Sequence, residues 1–147
     1  MNWRNYDTRT ENLLIKDLRS RLNTNLVCSI YRVDDYGVGY RDEILSGYCK
    51  GDIWYEFYFG DDCGIGIDNV SKIKPYLFPL DSMTDEQKEE YRKVCELDTE
   101  ILFKAPFDGT PFPAMYNSQD WLDANHFDYR GLIPMGLAND ATGKNIY

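Results

Sequence analysis

His126, the only histidine of the chain, lies within Asp120-Trp121-Leu122-Asp123-Ala124-Asn125-His126-Phe127-Asp128-Tyr129-Arg130, and no other segment is so dense in groups able to do chemistry. Imidazole is the usual general base near neutral pH. Asp123, about one helical turn earlier, and Asp128, two residues later, are the carboxylates that can orient it. His126, Asp123 and Asp128 are therefore the catalytic candidates of a small hydrolase or transferase, with Cys63 or a water as nucleophile. No spacing in the chain matches a nucleophile and base motif. The bland alternative, a ring bonded to a carbonyl or carboxylate near a helix end, is preferred, and the chain reads as non-enzymatic.

Trp121, His126, Tyr129 and Arg130 are also the binding candidates. Their rings and the arginine fork suit a small anionic or nucleotide-derived ligand, or a partner protein. The structural alternative pairs Arg130 with a nearby carboxylate, so that Tyr129 and Arg130 tie the C-terminal segment onto the sheet. Metal chemistry finds no support. One histidine cannot build a His-rich site, and Cys28, Cys49, Cys63 and Cys95 contain no CxxC pair. A calcium loop starting at Asp61 would place Cys63, Ile65 and Lys72 where oxygen ligands are required. Gly64-Ile65-Gly66 and Gly37-Val38-Gly39 lack the third glycine or lysine of a phosphate loop. No metal and no cofactor are expected.

Charge narrows the partners further. The net charge is −9, and residues 51–100 hold 13 of the 25 acidic side chains against 5 of the 16 basic ones. Phosphate backbones are bound mainly through Lys and Arg that release counterions, so direct nucleic-acid binding is disfavoured and a basic protein partner is favoured. Trp54, Tyr55, Phe57, Tyr58 and Phe59 could stack bases, but Asp52, Glu56, Asp61 and Asp62 flank them, which suits a sheet core better. Asp85, Glu86, Glu89 and Glu90 read as a solvated helix face, with Lys93 set to neutralise Glu89. Neither a secretory signal nor a membrane span is evident, so a cytoplasmic protein with reduced cysteines is expected.

These residues must be positioned by one domain, since 147 residues with 43% hydrophobic and 15% aromatic content suffice for a single core. Thr10 is expected to cap a helix over about 11–22, with Leu13, Leu14, Leu18 and Leu22 as its apolar stripe. Strands are expected at 26–33 and, loosely, at 38–48, where Arg41, Asp42 and Glu43 interrupt the pattern. A hairpin turn at Lys50-Gly51-Asp52 should lead into Ile53–Phe59, with Ile53, Tyr55, Phe57 and Phe59 on one face. Ile65-Gly66-Ile67 is a short pairing piece, and 74–80, with Pro75 and Pro79, an extended connector. Thr84 and Gln87 have capping-box order for a helix to about Leu97 that offers Tyr91, Val94 and Cys95 to the core. Residues 104–116 read as a loop, Ser118 as the cap of a short helix to Asn125, and 139–147 as a mobile tail. The whole is an α+β fold: a small antiparallel sheet rich in aromatics, with about three helices in a single domain.

The run from Asp120 to Ala138, together with Lys74-Pro75-Tyr76-Leu77, Pro79, Ser82-Met83-Thr84 and Tyr147, resembles a group of small acidic proteins. These are encoded by gut bacteria of the Bacteroides group and by their phages and mobile elements. The resemblance covers about the second half of the chain and brings no activity with it. It implies a setting in a bacterium or infected cell and an accessory role. Taken together, the sequence is read as a non-enzymatic acidic module that binds a host protein or its own copies. The alternatives are a binder of a small ligand and the His126 hydrolase or transferase.

Overall fold

The computed structural model describes residues 6–34, 37–60, 65–104 and 117–147. The first helix, α1 (Thr8–Ser20), begins earlier than expected because Asp7, not Thr10, is its cap. The Asp7 carboxylate accepts the Thr10 N–H at 2.7 Å, and an anion suits the positive end of the helix dipole. The predicted stripe holds: Leu14 and Leu18 are fully buried, with Leu13 and Leu22 packed against them.

Strands β1 (Val27–Asp34) and β2 (Gly37–Lys50) form a long antiparallel hairpin, with Val27 opposite Ile44 and Val33 opposite Val38. The charges that made the second strand doubtful do not break it, because each finds a place on the pleat. Glu43 faces Arg32 at 4.0 Å, and Asp42 accepts the Tyr76 hydroxyl at 2.9 Å. A register shift between Leu45 and Gly47 then bends β2 toward β3 (Tyr55–Phe59). The third strand starts two residues later than expected. Gly51 N–H donates to the Trp54 carbonyl at 2.8 Å, and the Trp54 indole folds over Gly51 so closely that a Cβ there would lie 2.2 Å from Nε1. Ile53 therefore sits in the turn, 97% exposed, while Phe57 and Phe59 are buried. Strand β4 (Ile65–Ile67) pairs with β3.

The expected connector is instead a strand inside the sheet. β5 (Ile73–Pro79) pairs antiparallel with β1 over Ile73, Lys74 and Pro75, and parallel with β6 (Phe127–Asp128) and β7 (Asn139–Asp140). Its prolines are tolerated because the ladder to β1 is only three residues long. The result is a seven-stranded, mostly antiparallel sheet in the order β4-β3-β2-β1-β5-β6, with β7 also on β5. Together with the helices it is the expected α+β fold.

Helix α2 (Asp85–Lys104) has the predicted capping box: Gln87 N–H donates to Thr84 Oγ1 at 3.1 Å, and Thr84 N–H to Gln87 Oε1 at 2.9 Å. It runs beyond the expected end at Leu97. Helix α3 (Ser118–Ala124) is capped by Asn117 rather than Ser118, in a reciprocal box with Asp120. The expected loop at 104–116 and the candidate nucleophile Cys63 lie outside the described residues, apart from Lys104 at the end of α2.

Neighbouring residues of a strand point to opposite faces, and β5 shows the consequence. Leu77 joins a core built from α1, β1–β5 and Leu132, Leu137 and Ala138, whereas Phe78 joins a second core of Trp121, Leu122 and Phe127 with Tyr91 and Val94 of α2. Among the described residues no helix is long and apolar enough to cross a membrane. Burial distinguishes the two ends of the β3 hairpin sharply. Phe57→Ala is expected to cost about 3–5 kcal/mol in urea unfolding, and Ile53→Asn to leave the midpoint nearly unchanged.

Candidate functional site

The C-terminal half of the candidate segment is drawn into a buried cluster by two residues of α1 and by its C-cap. Asp17 and Leu18 lie one turn beyond Leu14, and Arg21 one turn beyond Asp17, so a charged pair occupies the apolar stripe itself. Asp17 and Arg21 have no exposed surface. Arg21 clasps Asp17 in the fork geometry, Nε to Oδ2 at 3.0 Å and Nη2 to Oδ1 at 3.1 Å, and Nη2 also donates to the Phe127 carbonyl at 2.6 Å. Arg130 reaches the same carboxylate, Nη1 to Oδ1 at 2.7 Å, and lies over the Tyr129 ring with its guanidinium carbon 4.4 Å from the centroid.

Asp123, the one carboxylate of α3 that turns inward, completes the cluster. It accepts the Tyr129 hydroxyl at 2.8 Å and the Ser20 hydroxyl at 3.2 Å. Burial pushes its carboxyl above the ordinary value, and the Tyr129 bond and the Arg21 charge oppose that rise. Tyr129 is likewise pushed up by burial and held protonated as the donor to Asp123. Arg21 Nη1 is buried without a hydrogen-bond partner and lies 3.8 Å from Asp123 Oδ1, while the guanidinium carbon sits over the Tyr129 ring, 5.3 Å from its centroid. Two carboxylates and two guanidiniums leave no net charge to attract an anion.

His126 belongs to a different environment. It adopts a left-handed backbone, φ +62°, which turns the chain from α3 into β6, and its N–H donates to the Asp123 carbonyl at 3.1 Å. The ring Nε2 lies 2.7 Å from the Thr24 carbonyl. A carbonyl only accepts, so Nε2 carries the proton. Neither candidate carboxylate bonds the imidazole: Asp123 is spent on Tyr129 and Ser20, and Asp128 accepts the Leu132 and Ile133 N–H groups, each at 2.8 Å. Trp121 is buried between Tyr91 and Phe127, and its indole N–H donates to Glu90 at 3.1 Å. The structure thus brings Tyr129 and Arg130 together, and places Trp121 and His126 in separate surroundings. Asp17, Ser20 and Arg21, which sequence reasoning passed over, supply half of the cluster. The readable sign was a charged i, i+4 pair in line with Leu14 and Leu18.

Among the described residues no three His, Cys, Asp or Glu side chains stand where they could share a metal ion. On α2, Arg92 bonds Glu89 at 2.6 Å and also pairs with Glu96, and the expected Lys93 adds its charge to Glu89 as the smaller contribution. The Arg92 bond holds the Glu89 carboxyl below its usual value.

Two expectations follow. Asp17→Asn leaves two guanidiniums short of their carboxylate and is expected to cost about 3–5 kcal/mol in urea unfolding. The imidazole of His126 is held below its ordinary value of 6.5, first by burial, then with the Thr24 bond opposing and the Arg21 charge adding. Folding therefore favours the neutral ring: its contribution is complete above the unfolded value and is lost as pH falls through the folded one. Asp123, raised by burial, has the opposite sign and loses its contribution as pH rises, so the comparison is made against a variant. His126→Asn, which tolerates the left-handed backbone, should abolish the loss of stability that the wild type shows between about pH 7 and 5.

No protein-family model, curated protein or solved structure matches the chain, so the reading of this site rests on its own geometry.

Proposed function

We propose that this protein is a non-enzymatic interaction module that docks a host protein on the open face of its β1–β2 hairpin. The observation that carries this reading is a row of cross-strand pairs on one side of the ribbon: Val27 with Ile44, Tyr31 with Tyr40, and Val33 with Val38. Val33, Val38, Tyr40 and Ile44 are 71%, 65%, 54% and 46% exposed. Single exposed apolar residues are common, whereas Val33 opposite Val38, with Tyr40 beside them, makes a contiguous patch that gains from being covered, and Ile44 lies beyond the Ser29–Asp42 pair. Beyond Ile30 the first strand has no partner in β5, and the described part of β3 joins β2 only from Leu45 onward. Among the described residues the hairpin end is therefore a two-stranded ribbon with an exposed face.

The charge of the molecule supports a partner with basic groups around an apolar centre. Net charge is −9, and the first turns of α2 expose Asp85, Glu86 and Glu89. Such a field accelerates encounter with a basic surface, while the apolar pairs supply the lasting contact. The geometry lends less to catalysis, because neither Asp123 nor Asp128 bonds the His126 ring and its bonded nitrogen faces a main-chain carbonyl.

The test is cross-linking and co-purification from host lysate with the wild type and with Val33→Lys/Val38→Lys. Both side chains are exposed, so the variant should melt within about 2 °C of the wild type. It should lose a stoichiometric protein that the wild type retains. Retention of the same protein by the variant, or turnover of a small molecule that His126→Ala abolishes, would sink the reading.

A further inference from the structure

The segment 139–147, polar enough to be expected loose, is tied to the sheet. Asn139 and Asp140 pair with Tyr76 and Leu77 as β7, and Ala141, buried, donates its N–H to the Leu77 carbonyl at 2.8 Å. Residues 142–145 are exposed and turn twice through left-handed backbone, φ +73° at Gly143 and +50° at Asn145, with the Lys144 ammonium 5.8 Å from the Tyr76 ring centre. Tyr147 then inserts its phenol at the point where β1 and β5 part.

The last rung of that ladder joins Cys28 to Pro75, and the next would join Val27 to Tyr76. The Tyr147 hydroxyl takes that place: it accepts the Val27 N–H at 3.0 Å and donates to the Tyr76 carbonyl at 2.8 Å. A phenol hydroxyl accepts from one group and donates to another at once, and its ring holds it at a fixed reach. The ring lies flat on the His126 imidazole, centroids 3.8 Å apart and planes within 9°, and the Phe78 ring closes a second side at 5.9 Å. The imidazole is itself fixed by the Thr24 carbonyl. Burial raises the phenol above its ordinary value, so it remains protonated and keeps its donor bond.

The slot meets the phenol with a donor, an acceptor and two rings, yet its occupant is reached from solvent. Tyr147 is 46% exposed, and the strap leading to it is solvated from residue 142 to 145. We propose that Val27, Tyr76, Phe78 and His126 form a tyrosine-binding slot, filled in cis by Tyr147 and open to the tyrosine side chain of a partner polypeptide when the 142–147 strap lifts. The slot meets the hairpin row only through the Val27 main-chain N–H, six residues before Val33, so Val33→Lys/Val38→Lys leaves its walls in place and the two ideas can fail separately.

The test is titration of full-length Tyr147→Ala with p-cresol, toluene and N-acetyl-tyrosinamide, followed by the Val27 amide and His126 ring resonances. Saturable binding of p-cresol is expected, at least about tenfold tighter than toluene, which would leave the Val27 N–H and Tyr76 carbonyl unpaired. N-acetyl-tyrosinamide should perturb the same resonances, and the wild type should bind both phenols at least about tenfold more weakly because its own ring competes. Equal affinity for toluene and p-cresol, no saturable binding, or equal affinity in the wild type would overturn the proposal. Tyr147→Phe keeps the stacked ring and guards against a variant that does not fold. Its Val27 amide should exchange with solvent roughly tenfold faster than in the wild type, and unchanged protection would refute the hydroxyl rung on which the slot depends.

Discussion

Asp17 is a carboxylate with no exposed surface, met by two guanidiniums that arrive from different parts of the chain. Taking such a group out of water costs several kcal/mol, and only a complete set of charge-assisted bonds offsets it. Completing that set fixes the end of α1 to the start of β6 through the Phe127 carbonyl, and to the segment after β6 through Arg130. Asp123 and Tyr129 then close the arrangement from α3. A small shift of α1 would strand one of these charges. The cluster therefore sets where the helix lies against the sheet more sharply than the leucines around it, which could slide past one another at lower cost.

The sheet has a second weak point, and side chains cover it. β5 carries two prolines and holds β1 by three residues only. Beyond that ladder three of its main-chain groups are bonded by the chain after α3: the Phe78 N–H donates to the His126 carbonyl, the Leu77 carbonyl accepts from Ala141, and the Tyr76 carbonyl accepts from Tyr147. The left-handed turn at His126 makes this possible, since it aims a carbonyl at β5 while its ring supports Tyr147. One residue thus serves the sheet with its backbone and the slot with its side chain.

Helices with local signals were legible in the sequence. Thr84 and Gln87 marked the start of α2, and the spacing of Leu13, Leu14, Leu18 and Leu22 gave α1 its buried face. Caps were less certain, because Asp7 and Asn117 compete with hydroxyl residues one to three positions away and the better acceptor wins. Long-range pairing left no local trace. β5 read as a connector because its prolines argue against a central strand, and both its neighbours, β1 and β6, lie some fifty residues away along the chain. The density of polar groups around His126 was plain in the sequence, but the direction each one faces was not. Asp128 turns to two main-chain amides, Asp123 to Tyr129, and Arg130 to a carboxylate of α1.

A side chain already spent on its neighbours has little free energy left for a ligand. Asp17, Asp123, Asp128 and Arg130 each make at least one short bond within the protein, and the opposed charges of the buried cluster cancel. A ligand that recruited Arg130 would first have to strip it from a buried carboxylate. The hairpin end presents the opposite balance: Val33, Val38 and Tyr40 are ordered by strand pairing yet still hydrated, so covering them releases water without breaking any bond. The chemistry-rich segment builds the molecule, and the chemically plain ribbon is where association costs least.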